Sequence, residues 1–201
     1  MRRADFKGGP GDADALFATV LTGQLGIADN NGWPRIVPVN FVCHNDRIYF
    51  HGARDGEKFA LFAGRPKVCF SVYDEFSYIP STWRSPLLAC PASVYYRSAH
   101  VRGTGSLVED LAEKGIVTQK LMEKIQPQGG HEPVSADSPL YRKALDEVAI
   151  FRIDPVEITV KVKFGQNLSA DTRRDIARRL RDRADRGDIE TAQVIERTLR
   201  P

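Results

Sequence analysis

Residues 24–53 contain three short apolar runs that are separated by two polar turn signals. The first signal is Asn-Asn-Gly at residues 30–32, and the second is His-Asn-Asp at residues 44–46. Asn-Gly and similar pairs between apolar runs are the strongest local signal for a β-hairpin. The sequence therefore predicts an antiparallel meander of three strands over residues 24–53.

The following residues add further strands and a few inserted helices. Alternating apolar residues predict strands over 67–74, 93–108, 148–153 and 156–162, and helical spacing predicts helices over 58–63, 110–125 and 140–145. We expect Asp154 and Pro155 to separate the last two strands, and Val156 and Ile158 to face the core. Residues 76–91 contain three prolines and predict a loop without regular structure.

The composition changes near residue 166, where the strand patterns give way to a polar, arginine-rich segment. Apolar stripes predict two helices there, over 170–185 and 189–199. About seven strands joined mainly by tight turns favour a small closed β-barrel with peripheral helices, a mainly β fold. We expect one domain over residues 1–201, with a body of about 14–168 and a helical tail over 169–201.

Composition excludes several classes of protein. No apolar stretch is long enough to span a bilayer, and the first ten residues lack an apolar signal core. The three cysteines form neither a disulfide framework nor a CxxC zinc motif. The formal net charge of +3 is too small to predict a nucleic-acid surface. These features predict a soluble, cytoplasmic protein with reduced thiols and no membrane partner, and they give no support to a nucleic-acid partner.

Four polar or small residues near the third strand are candidates for ligand binding. Lys58 lies in the first turn of a predicted helix that directly follows a strand, a place suited to a phosphate. Asn40 interrupts an apolar strand, and His51 and Gly52 precede the helix. The alternatives stay open at this point, because Lys58 is also typical of a surface lysine and His51 of a hydrogen-bonded core histidine.

Other residue patterns are weaker. Tyr96, Ser98, His100 and Arg102 alternate along one strand face, which predicts either a ligand wall or a solvated face, with solvent favoured for Arg102. The sequence lacks the GxSxG, GxxxxGK[ST] and HExxH motifs and has no GxGxxG at the start of a helix. Cys43–His44 lacks a third ligand or an orienting group, so neither a metal site nor a nucleophile is favoured there.

Several segments resemble the pyridoxamine 5′-phosphate oxidase-like family of FMN-binding split barrels, particularly its nitroimidazole-resistance-type branch. The similar segments follow the order of the family and cover most of residues 20–170. They are PRIVPVNF at 34–41, IYFHGARDGEK at 48–58, PKVCFSV at 66–72, YRSAHVRGTG at 96–105 and KVKFGQNLS at 161–169. The chain lacks the C-terminal strand of true pyridoxamine phosphate oxidases, which makes oxidation of that substrate doubtful.

The resemblance implies a homodimer of split barrels with FMN at the interface. It also implies that Lys58 binds the FMN phosphate and that residues near 98 and 163–167 close the site, from the same or the second subunit. The flavin contacts that it implies are Val37, Pro38, Val39, Asn40, His51, Gly52, Lys58, Ser98, Lys163, Gln166 and Asn167.

The function that the resemblance implies is an FMN-dependent oxidoreductase that acts on a small planar substrate, with the cofactor performing the hydride or electron transfer. Two alternatives stay open. The first is a flavin-binding sensor or transcriptional regulator without turnover, which the mixed charges of the tail disfavour. The second is a split barrel that binds heme or a deazaflavin, with His51 or His100 as the candidate iron ligand.

Overall fold

Six β-strands and six α-helices form the described part, residues 3–199, of a computed structural model of the chain. The strands are β1 (Thr22–Ala28), β2 (Pro34–His44), β3 (Arg47–Gly52), β4 (Lys67–Ile79), β5 (Ser93–Val108) and β6 (Ala149–Lys163). The helices are α1 (Pro10–Thr19), α2 (Glu57–Ala63), α3 (Leu111–Ile125), α4 (Pro139–Glu147), α5 (Ala170–Arg183) and α6 (Asp188–Arg197).

The strands close into a barrel in the order β1-β2-β3-β6-β5-β4. The predicted meander is confirmed, because β1 pairs with β2 and β2 with β3, both antiparallel. The Asp29 carboxylate accepts hydrogen bonds from the backbone N–H groups of Asn31 and Trp33 and so stabilises the first turn. The second turn places Asn45 and Asp46 at φ angles of 49° and 59°, a conformation that short hairpin loops favour.

Three segments are more regular than the sequence predicted. β6 runs through Asp154 and Pro155 without a break, so the barrel has six strands and not seven. Its pairing with β3 ends at Ile153, so the missing N–H of Pro155 removes no hydrogen bond from that ladder. β4 continues to Ile79, well into the predicted loop, and α1 forms in a segment where no helix was predicted.

Phenylalanine side chains fill the core of the barrel, as expected for a closed barrel of this size. Phe50 stacks on Phe151 with ring centroids 5.0 Å apart, and Phe62 of α2 packs edge-on against both rings. Phe41 and Phe70 form another edge-on pair. All five side chains are at most 1% exposed, which leaves no interior space for a large ligand.

The described chain divides into two compact units. One unit contains Asp14–Val72 and Ala99–Thr159; the other contains Tyr73–Ser98 together with the segments up to Ala13 and from Val160 onward. The second unit has its own apolar core, which includes Phe164, Ile176, Leu180 and Ile195. The predicted tail helices are therefore confirmed as α5 and α6, and they contribute to this core.

Candidate functional site

β2 changes its partner near the middle of the strand. Residues 34–40 pair with β1, whereas residues 41–44 pair with β3. If the β2–β3 register continued by two steps, Asn40 would pair with His51 and Val39 with Gly52, but neither pair forms in the described part of the chain. The two strands therefore separate at residues that the sequence had singled out, and backbone groups on the facing edges are left without a ladder partner.

The side chains of residues 37–40 alternate between the core and the outside. Val39 is 7% exposed and belongs to the core, whereas Pro38 and Asn40 are exposed and Val37 is half-buried. Val39 can therefore contact a ligand only through its backbone, whereas Pro38 and Asn40 can also use their side chains. The Asn40 amide donates hydrogen bonds to Thr22 Oγ1, at 3.1 Å, and to the Leu21 carbonyl, at 3.3 Å, so its orientation is set by β1.

We call the gap between residues 39–40 of β2 and 51–52 of β3 the opening. Lys58 lies close to it, beside Gly52. Its ammonium nitrogen is 4.9 Å from the ring centroid of Phe151 and 5.4 Å from that of Phe50. Among the residues that the structure describes, no hydrogen-bond acceptor or carboxylate pairs with it. Burial lowers the pKa of Lys58. Gly56 occupies the N-cap position of α2, and no side chain caps the helix.

The first unit also has an open groove of about 380 Å³ that the sequence did not predict as a site. Its lining includes Ile36, Cys69, His100, Arg102 and Glu157. Arg102 is exposed, as favoured from the sequence, and its guanidinium lies 3.3 Å from the Glu157 carboxylate. The groove combines residues from five strands, and no local pattern could have identified it before the barrel register was known.

Two predicted core residues of β6 are exposed instead. Val156 is 81% and Ile158 is 44% exposed, and Ile36 of β2 is 71% exposed. Residues 156–159 are exposed on both faces of β6, so the assignment of these two residues to the core was wrong, whereas Val160 on the same face is buried. Val156 and Ile158 share one face of β6, and neighbouring exposed apolar side chains of this kind can form an interaction surface.

The remaining candidates belong to the second unit. Ser98 is buried, Lys163 and Gln166 are half-buried, and Asn167 is exposed. The Gln166 side chain is engaged in its own turn, because its oxygen accepts from the Phe164 N–H at 2.7 Å and its nitrogen donates to the Val162 carbonyl at 2.9 Å. Lys163 and Asn167 line a groove that also includes Tyr95.

Metal chemistry has no support in the described part of the chain, where no group of three or more His, Cys, Asp or Glu side chains could hold an ion. Burial raises the pKa of Cys43 to about 12, which makes a thiolate nucleophile there unfavourable. Across residues 3–199, no helix is both long and apolar enough to cross a membrane.

Comparisons with known proteins place the chain in a family. The family model described as pyridoxamine 5′-phosphate oxidase matches residues 10–162. A search of curated proteins found no match.

Solved structures share the fold. A 5-nitroimidazole antibiotic resistance protein from Bacteroides thetaiotaomicron is 22% identical with a TM-score of 0.62, covering 78% of this chain and 86% of its own. An FAD and heme binding protein from Mycobacterium smegmatis is 20% identical with a TM-score of 0.63, covering 85% and 78%. The flavocytochrome Anf3 from Azotobacter vinelandii is 20% identical with a TM-score of 0.63, covering 77% and 67%. On the family match and the shared barrel, the chain belongs to the pyridoxamine 5′-phosphate oxidase family.

Proposed function

We propose that the chain binds FMN at the opening between β2 and β3 and acts as an FMN-dependent oxidoreductase. The observation that carries this proposal is the unpaired Lys58 ammonium beside the point where the two strands separate. A half-buried cation without a carboxylate partner favours the binding of an anion, since the anion would stabilise the charged form that burial disfavours.

The residues around the opening fit a phosphorylated, planar ligand. Gly52 has no side chain beside the Lys58 ammonium, and a Cβ there would lie 3.1 Å from that nitrogen. We assign the phosphate to Lys58 and the ring edge to exposed backbone and side-chain groups of Pro38, Asn40 and His51. These groups bind and orient the ligand. Because side chains fill the interior of the barrel, the ligand binds on its outer surface.

A bound flavin supplies the hydride or electron transfer, so the chain's own residues need only position the cofactor and its substrate. A redox role is supported by membership of the family and by three fold relatives: a flavocytochrome, an FAD and heme binding protein and a nitroimidazole resistance protein. The substrate that we propose is small and planar, because it would stack on the ring system of the cofactor.

We propose that the protein is a homodimer. The exposed Ile36, Val156 and Ile158 side chains provide an apolar surface suited to a second copy of the chain. A second copy would also cover part of a ligand bound on the outside of the barrel. The predicted flavin contacts Ser98, Lys163, Gln166 and Asn167 stay proposals, from the same or the partner subunit.

The phosphate assignment is tested by comparing FMN with riboflavin, which lacks the phosphate. We expect wild-type protein to bind FMN more tightly, and Lys58→Ala to weaken FMN binding roughly tenfold or more while riboflavin binding changes little. Lys67→Ala is the matched control, because Lys67 is an exposed lysine at the start of β4. Unchanged FMN binding by Lys58→Ala would reject this role of Lys58.

A further inference from the structure

The second unit contains a groove of about 290 Å³ whose lining is strongly cationic. Arg3, Arg84 and Lys163 line it, and none of its lining residues is an aspartate or a glutamate. Within residues 3–199, none of these three cations forms an ion pair with a carboxylate. Their positive charges are therefore not neutralised by the protein around the groove.

A fourth positive charge is buried in the same unit. Arg173 is 7% exposed, and its guanidinium donates to the Ile195 carbonyl and to Thr198 Oγ1. These acceptors are neutral, so they satisfy hydrogen bonds without cancelling the charge. Arg84 and Arg173 both act to lower the pKa of Tyr95, although burial has the larger effect and raises it. Both positive charges are therefore close enough to interact electrostatically with the Tyr95 hydroxyl.

Tyr95 provides the observation that points to a ligand. Its side chain is 3% exposed and lines the groove, yet its hydroxyl makes no hydrogen bond to any described residue. Gly165, which has a φ angle of 76°, also lines the groove. A side chain on Gly165 would collide with the Tyr95 hydroxyl, so glycine at this position leaves room for the hydroxyl. The hydroxyl is therefore a donor at the wall of the groove that pairs with no described protein group and can donate to a ligand.

We propose that this groove binds the phosphate or carboxylate group of a small organic molecule. The Tyr95 hydroxyl donates a hydrogen bond to the anion, and Arg84 and Lys163 supply the positive charge. The groove lies at the small end of the range for ligand pockets, which favours a small metabolite over a whole nucleotide. This site goes beyond the proposed flavin site, although Lys163 and Asn167 are also predicted flavin contacts, and the test must separate the two.

The test is isothermal titration of inorganic phosphate and of succinate into protein saturated with FMN, at constant ionic strength. We expect saturable binding of at least one probe. Arg84→Gln and Tyr95→Phe should each weaken it, by roughly tenfold for the arginine because bonds to charged groups are the strong ones. The tighter of the two probes identifies the anion class.

The matched controls remove the same groups from positions that do not line the groove. Lys161→Gln removes a positive charge two residues from Lys163, and Tyr96→Phe removes a hydroxyl next to Tyr95. Both should change probe binding by less than about twofold, since neither group lines the groove. FMN affinity should be the same in Arg84→Gln as in wild type.

Three results would overturn the proposal. The first is the absence of saturable binding of either probe. The second is an equal loss in Arg84→Gln and Lys161→Gln, which would indicate general electrostatic attraction. The third is binding of the probes only to protein without flavin, which would place the anion in the flavin site. Melting temperatures of the variants show whether each remains folded, and Arg84 is exposed, so its substitution should not unfold the protein.

Discussion

The Lys58 ammonium nitrogen lies 3.1 Å from the point that a Cβ atom on Gly52 would occupy. The same Cβ would lie 3.1 Å from the Phe151 ring, which belongs to the core and has little freedom to move. Gly52→Ala should therefore displace the lysine more than the ring. We expect FMN binding to weaken several-fold, measured by fluorescence titration, with little loss of stability.

Gly64→Ala is the control for this substitution. A Cβ on Gly64, at the end of α2, would meet only the Leu61 carbonyl at an ordinary 3.5 Å. FMN affinity should therefore stay at the wild-type value. If Gly52→Ala bound FMN as tightly as wild type, the account of how this glycine serves the site would be wrong.

Val156→Asp should convert the proposed dimer into a monomer. The Val156 side chain is 81% exposed, so a carboxylate there costs nothing in an isolated chain, whereas burying it against a second copy without a partner is strongly unfavourable. Sedimentation velocity at micromolar concentration measures the change. Leu140→Asp, at a residue of α4 that is 66% exposed, should leave the dimer intact. A wild-type protein that sediments as a monomer would contradict the proposed assembly.

The sequence predicted part of the candidate flavin site and of the neighbouring β6 surface, but not all of it. The turn signals predicted the β1–β2–β3 meander, and with it the position of Asn40 and His51 on neighbouring strands. The alternation over residues 156–162 predicted one buried and one wet face for β6, but both faces are exposed over residues 156–159 and the buried face begins at Val160. Val156 and Ile158 are exposed because they lie beyond Ile153, where the pairing of β6 with β3 ends. The end of this pairing depends on the tertiary structure and not on the local sequence.

The groove of the second unit could not be predicted from any one segment of the sequence. The Tyr95 groove combines an N-terminal segment, β5 and the turn after β6, so no single segment carries its signal. Gln166 was predicted to contact the flavin because of the resemblance, but its amide stabilises the turn that contains Lys163 and Asn167. The Gln166 side chain thus forms hydrogen bonds within its own turn, while Lys163 and Asn167 line the groove.

Lys124 and Cys43 should give the stability of the protein an unusual dependence on pH. Burial lowers the pKa of Lys124 to about 8, from 10.5, and raises that of Cys43 to about 12, from 9.0. Above pH 8 the folded lysine loses its proton before the unfolded one, so stability rises with pH. Above pH 9 the unfolded thiol loses its proton first, which acts in the opposite direction. We expect the melting temperature to rise between pH 8 and 9 and then to level off.

Two variants separate these contributions. Lys124→Met should abolish the rise between pH 8 and 9, because the ammonium that donates to the Phe41 carbonyl at 2.9 Å is gone. Cys43→Ala should let the rise continue above pH 9. A Lys124→Met variant with the same pH profile as wild type would show that the lysine does not titrate in this range.

Asp188→Asn should destabilise the protein by about 2 kcal/mol, the order expected for hydrogen bonds to a charged group. The Asp188 carboxylate is fully buried and accepts hydrogen bonds from Arg183 at 2.7 Å and from Ser77 at 2.8 Å. Burial alone would raise its pKa, but these hydrogen bonds lower it below the usual value. The stabilisation is therefore present at neutral pH and is lost as the pH falls through the lowered pKa.

Urea denaturation at pH 7 measures this effect. Asp185→Asn is the control, because the Asp185 carboxylate lies 3.3 Å from Arg183 but is 72% exposed, and its loss should cost less than about 0.5 kcal/mol. Equal stability of wild type and Asp188→Asn would contradict the role given to this buried carboxylate.

The near-ultraviolet and visible absorption spectrum of the protein, purified without added cofactor, tests the central claim most directly. We predict the two absorption bands of a flavin, and release of the chromophore as FMN at about one molecule per chain. A Soret band would move the account from flavin to heme. A colourless protein that also fails to bind added FMN would contradict the proposed function and leave only the fold.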